Sequence, residues 1–226
     1  MKSNKCGIDK GMAYFNLLEV MEKDCCPVCA LTDKRIEQTM DNFLYDSVNS
    51  IPVQQEINAA RGFCNFHADK LLKKGNPLAH AIIYGNLIEI AQKDIDVGDF
   101  MRYKGHAQCR WCALSKDNVR IYSRVFFESW IKDEFRRKYE EAGMLCMAHL
   151  HAVEQAGKTG LVNLSGKATV GAIRKATKKK YERICAQLAE VRRKNDFRFQ
   201  NEPWTDEEKD AWSRAVYVIN DRTEGK

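Results

Sequence analysis

Cys26-Pro27-Val28-Cys29 is followed by Cys64-Asn65-Phe66-His67, then Cys109-Arg110-Trp111-Cys112, then Cys146-Met147-Ala148-His149. The order is C-x2-C then C-x2-H, twice. Between Cys29 and Cys64 lie 34 residues, and between Cys112 and Cys146 lie 33. Two ligands at C-x2-C sit on one tight turn and can reach one ion, and a C-x2-H at a helix start offers one sulfur and one imidazole. Four half-motifs in matched order point to two metal sites of the Cys3His type. Such a set is closed and tetrahedral and leaves no position for substrate. Its softness and geometry favour zinc, two ions per chain, with an iron–sulfur cluster as the minor alternative.

The repeat extends beyond the ligands. Leu31 matches Leu114, Ile36 matches Val119 and Phe43 matches Phe126 at an offset of 83, and after a one-residue deletion His67 matches His149 and Gly75 matches Gly157. Both CxxH segments read C-x2-H-x7-G, with the glycine placed to end a helix in the left-handed conformation. The favoured pairing is within each half: Cys26, Cys29, Cys64 and His67 for one ion, and Cys109, Cys112, Cys146 and His149 for the other. The crossed arrangement, each CxxC with the other half's CxxH, is the alternative. Cys25 is no expected ligand, because its counterpart is Gln108.

The intervening segments read as helices. Tyr14, Leu17, Leu18 and Met21 recur at i, i+3, i+4 and i+7, and Ile36, Met40 and Phe43 follow at spacings of four and three. Asn76-Pro77 is an N-cap followed by proline at the first helical position, with Ile83, Leu87, Ile90 and Ala91 as the stripe behind it. Val170, Ile173, Thr177, Tyr181, Ile184, Leu188 and Val191 form a longer seam. Thr205-Asp206-Glu207-Glu208 is a capping box, after which Trp212, Ala215, Val216 and Ile219 predict an apolar face. No stretch alternates with period two. The expected fold is all-α: two fused pseudo-repeat units, 1–98 and 99–194, each clipped by a Cys3His site, and a segment 195–226 whose helix packs across them.

The totals agree with a globular protein. In 226 residues, 44% are hydrophobic and 30% charged, with only four prolines, so neither disorder nor low complexity is indicated. The run Leu78–Ala91 is too short and too interrupted to span a membrane, and Met1–Lys10 lacks the apolar core of a signal peptide. A cytoplasmic location is expected, where nine cysteines in paired spacings read as metal ligands or redox thiols rather than disulfides.

Charge is concentrated. Of the net +6, the stretch 174–194 carries nine basic residues against two acidic ones. Arg174, Lys175, Lys178, Lys179, Lys180 and Arg183 are therefore the candidate contacts to nucleic acid, set against the alternative of a solvated helix face. Aromatic interleaving is poor, which argues against stacking on single strands. Among the other candidates, Cys185 is expected to be buried in the seam, and Cys6, His80, His106 and His151 to be surface residues. No catalytic constellation stands out, so no catalytic residue is assigned and no small-molecule substrate is indicated.

The CPVC and GFCxxH motifs, the second CxxC…CxxH, and the run Asp196-Phe197-Arg198-Phe199…Glu202-Pro203-Trp204 resemble an uncharacterised family of cytosolic bacterial proteins, mostly from Gram-positive anaerobes. The resemblance covers nearly the whole chain and implies an architecture but no activity. One departure is Cys-Arg-Trp-Cys, which lacks the proline of the first knuckle. The expected role is a non-enzymatic binding or regulatory module with structural zinc and a protein partner. Thiol-redox or metal-transfer chemistry at the CxxC pairs is the alternative, with nucleic-acid binding through the basic helix as the third reading.

Overall fold

Each place where the sequence shows helical spacing becomes a helix, and no strand occurs among the described residues. The computed structural model describes residues 10–23, 25–98, 108–160, 164–199 and 201–220. Cys6, His106 and the expected end of the first half at Asp99 lie outside them. In chain order the helices are α1 (Lys10–Val20), α2 (Pro27–Asn42), α3 (Ile51–Ala59), α4 (Asn65–Lys73), α5 (Pro77–Val97), α6 (Arg110–Ser129), α7 (Asp133–Glu141), α8 (Met147–Gly160), α9 (Leu164–Lys194) and α10 (Asp206–Ile219). A π-helical turn, Phe43–Ser47, extends α2, and a 3-10 turn covers Phe197–Phe199. None of the described helices is long and apolar enough to cross a membrane.

The chain packs as two units, and they are not the halves of the repeat. One unit holds the chain up to Leu31 together with the part from Val119 through α10, and the other holds Thr32–Asn118. The division falls inside α2 and inside α6.

The first unit is centred on an aromatic cluster. Phe126 meets Phe135 and Tyr139 edge-to-face at 5.1 and 5.2 Å between centroids, and Tyr139 meets Trp130 at 5.4 Å. Edge-to-face packing places the positive ring edge on the negative face of its neighbour. Tyr14, Leu17, Leu18 and Met21 of the α1 segment join this core, as the spacing predicts. Ile173, Thr177 and Ile184 of the α9 seam are also buried.

The helix α10 lies against α9 and α8. Its capping box forms as expected, Thr205 Oγ1 accepting from Glu208 N–H and Glu208 accepting from Thr205 N–H. Its packed face follows the prediction only at Ala215. Glu208, Ala211 and Val218 are buried, whereas Trp212, Val216 and Ile219 are exposed. The physical reason is Glu208, which turns inward to bind Lys194 Nζ at 2.7 Å, both groups being nearly enclosed. That pair fixes the rotation of the helix and turns the larger apolar side chains outward. Cys185 is likewise exposed, not buried.

The second unit is smaller. Phe43, Phe63 and Trp111 form its aromatic centre, with Trp111 edge-to-face on Phe43 at 5.4 Å and 4.4 Å from Phe63. Asn76 caps α5 by accepting from Ala79 N–H at 3.0 Å, with Pro77 in the first turn. Only part of the expected α5 stripe is covered. Ile83 is buried, Leu87 and Ile90 are partly exposed, and Ala91 is exposed.

The two matched glycines turn out to do different work. Gly75 has φ +79° and ends α4 as expected. Gly157 lies inside α8, and a Cβ there would stand 2.5 Å from the Phe127 ring. One glycine allows a turn, and the other allows contact.

Candidate metal centres

Each half-motif begins a helix. Cys26 C=O accepts from Ala30 N–H at 3.0 Å, Cys64 from Ala68 at 2.9 Å, Cys109 from Ala113 at 3.1 Å and Cys146 from Leu150 at 2.8 Å. The first ligand thus stands at the N-cap and the second three residues on, one turn into the helix. N-terminal amides carry partial positive charge, so two helix starts at each cluster favour thiolates. Three thiolates, one neutral imidazole and a divalent ion leave one negative charge for those dipoles to stabilise.

All eight ligand residues named from the sequence come together, and they do so in the crossed arrangement. Cys26, Cys29, Cys146 and His149 form cluster one; Cys64, His67, Cys109 and Cys112 form cluster two, with the ligand atoms of each within 4.8 Å of one another. The favoured pairing within each half is therefore corrected. The reason lies in the helix after each CxxC. The 16 residues of α2 start at cluster one and run about 24 Å, carrying the chain into the other unit before Cys64 is reached. The 20 residues of α6 start at cluster two and run about 30 Å before Cys146. Each CxxH closes on the CxxC that shares its unit. No third such cluster occurs among the described residues.

The spacing within the clusters fits a tetrahedral ion. Bonds of about 2.3 Å to sulfur and about 2.0–2.1 Å to nitrogen give edges of about 3.8 Å between sulfurs and about 3.6 Å between sulfur and nitrogen. In cluster one, Cys29 and Cys146 sulfurs are 3.7 Å apart, and His149 Nδ1 lies 3.1 Å from Cys29, 3.1 Å from Cys146 and 3.5 Å from Cys26. In cluster two, Cys64 and Cys112 sulfurs are 3.5 Å apart, and His67 Nδ1 lies 3.1 Å from Cys64, 3.4 Å from Cys112 and 3.7 Å from Cys109. Both histidines offer Nδ1.

The electrostatics of the side chains favour a cation. Hydrogen bonds from Cys26 and Cys29, with His149 beside them, hold the Cys146 thiol far below its ordinary range. Burial works against a charged His149, but the Cys146 and Cys26 sulfurs outweigh it and push its pKa up to about 10. In cluster two, burial and the neighbouring Cys64 raise Cys112, whereas at Cys109 burial is outweighed by the His67 contact together with the backbone amides of Cys64 and Cys112, and the thiol is lowered. A divalent ion would take the place of these shared protons.

The surroundings differ between the clusters. The residue before Cys146 is held on both sides: Leu145 N–H donates to Tyr139 Oη at 3.2 Å, and Tyr181 Oη donates to Leu145 C=O at 3.0 Å. Tyr139 Oη is itself 2.7 Å from Thr177 Oγ1. Sequence reasoning missed the work of Tyr139, because a side-chain bond to a distant backbone leaves no periodic signal. Cluster two is approached by a turn in which Arg61 (φ 55°) and Gly62 (φ 97°) are both left-handed, and Gly62 N–H returns to Ile57 C=O at 2.9 Å. This is a Schellman-type stop to α3. The missing proline of the second knuckle is offset by packing, since Trp111 is buried and the Arg110 guanidinium lies 5.4 Å from the Phe43 ring centroid.

The candidate nucleic-acid residues are spread along α9. Arg174 forms a two-pronged pair with Glu154, Nη2–Oε2 being 2.6 Å. Lys178 pairs with Glu182 at 3.6 Å, Arg183 with Glu207, and Lys180 donates to Glu140 C=O at 2.9 Å. Lys175 and Lys179 are exposed. Four of the six therefore already serve partners within the chain. Away from these sites, His151 is exposed as expected and His80 is half-buried.

A family of unknown function, DUF6062, matches residues 11–102 and 98–226. An uncharacterised 23.9 kDa protein encoded in the xynA 3' region of Caldicellulosiruptor sp. (strain Rt8B.4) is 30% identical over 210 residues, 90% of this chain and 98% of that protein. No solved structure matches. With its family model matched along nearly all of its length, the chain belongs to the DUF6062 family.

Proposed function

We propose that the protein is a non-enzymatic helical module in which two structural zinc ions fix helix starts, so that the helices present a surface to a protein partner. The observation that carries this reading is the pair of closed Cys3His clusters, each built from two helix N-termini. Three soft thiolates and an imidazole at tetrahedral spacing suit zinc above other common divalent ions. With four protein ligands per ion, no coordination position is left for substrate or for an activated water. The basic face of α9 supports nucleic-acid binding less well, because much of its charge is met within the chain.

The test is elemental analysis together with X-ray absorption at the zinc edge, on protein purified without affinity metals. Two zinc ions per chain, each with three sulfurs and one nitrogen, are expected. An oxygen ligand exchanging with solvent, or a protein free of metal, would overturn the reading.

A further inference from the structure

The two clusters share a ligand set but not an exposure. Cys26, Cys29, Cys146 and His149 are all buried, whereas Cys64 and Cys112 are partly open to solvent. The sulfurs of these two partly exposed residues are also adjacent, at 3.5 Å. From this juxtaposition we infer that cluster two is an oxidant-responsive metal centre: a peroxide converts Cys64 and Cys112 to a disulfide and releases the ion, while cluster one keeps its own. The inference rests on the metal reading above and extends it to the chemistry of one site.

The step balances as follows. One thiolate, Cys64 or Cys112, attacks a peroxide oxygen, the O–O bond breaks, and a sulfenic acid and hydroxide form. The neighbouring thiolate attacks that sulfur, the S–S bond forms and a second hydroxide leaves. Two protons from solvent convert the two hydroxides to water. Two electrons pass from the sulfurs to the peroxide, and the ion, having lost two of its four ligands, departs. Oxidation follows access to the sulfur, which the partly exposed Cys64 and Cys112 offer and the buried cysteines of cluster one do not.

Two local features favour cluster two as the site of change. The turn that delivers Cys64 holds Arg61 and Gly62 in the left-handed region, a conformation disfavoured for a non-glycine residue. By contrast, the segment that delivers Cys146 is held by the two tyrosine hydroxyls on Leu145.

The test uses the whole, metal-loaded chain. Its metal is first counted, then hydrogen peroxide is added with a chromogenic chelator present, and disulfides are mapped by mass spectrometry of unreduced digests. One equivalent of metal should leave roughly tenfold faster than the other, with a Cys64–Cys112 linkage, and reduction with added zinc should restore it. Release of both equivalents at one rate, or a first linkage of Cys26 to Cys29 or of Cys109 to Cys112, would overturn the inference while leaving the metal reading intact. A count below two ions would overturn the metal reading itself.

Discussion

Cluster one lies in a unit with 22 buried apolar residues in its main core, and cluster two in a unit with 11 among the described residues. The ligands are of the same types and the helix starts follow the same plan, but the dependence on the ion should differ. A small core supplies little stabilisation of its own, and chains of that kind rely on staples or metals. The first unit has an aromatic cluster to fall back on. The second has a buried tryptophan inside its own knuckle, so that the candidate metal site and the core share one wall. An identical motif can therefore be an addition in one place and a condition of folding in another.

The comparison breaks most visibly on the histidine ligands. A structural zinc contributes on the order of 10–16 kcal/mol to folding in peptide models. His67→Ala should remove one ion and abolish hydrogen-exchange protection across residues 32–118. His149→Ala should remove the other ion yet leave substantial protection in α6 and α9, where Phe126 and Ile173 are fully buried. Equal loss in the two variants would contradict the difference drawn between the units.

A smaller effect separates the matched glycines. Gly157→Ala drives a methyl group into the Phe127 ring, an overpacking that costs about 1–3 kcal/mol. Gly75→Ala meets nothing within 4 Å and should cost roughly 1 kcal/mol, for the left-handed backbone alone. Denaturant melts of the two variants decide it. A greater loss at Gly75 would show that both glycines act as helix stops after all.

The smallest effect is in acid. The Arg174 guanidinium holds the Glu154 carboxyl below the usual carboxylate range. In the second unit burial alone would raise Glu37, but the Lys70 and Lys74 ammonium groups outweigh it and lower the carboxyl. A lowered carboxyl contributes stability that is whole above the unfolded value, about pH 4.3, and is lost as pH falls through the folded value. Glu154→Gln and Glu37→Gln should each flatten the acid limb of the melting curve relative to the parent chain. Slopes unchanged from the parent would remove these pairs from the account.

Much of the plan is legible in the chain. The eight ligands, the helix starts at Asn76 and Thr205, and the seam of α9 follow from spacing and local chemistry, which are short-range properties. The pairing of half-motifs is not local, because it depends on where α2 and α6 carry the chain, and a period of 83 residues says nothing about direction in space. The face of α10 departs from its pattern for a related reason. Trp212, Val216 and Ile219 make the better apolar stripe, but the enclosed pair between Lys194 and Glu208 settles the rotation, and a carboxylate heading inward has no signature in a hydrophobic pattern. Gly157 keeps the position of Gly75 in the repeat but stands against Phe127 instead of ending a helix.

The central claim is that each ion joins the two halves of the repeat. Anomalous diffraction at the zinc edge, on crystals of protein purified without affinity metals, tests it most directly. The account predicts two peaks, one within bonding distance of Cys26, Cys29, Cys146 and His149, and the other within bonding distance of Cys64, His67, Cys109 and Cys112. A peak shared by Cys26, Cys29, Cys64 and His67, or no peak at either cluster, would contradict it.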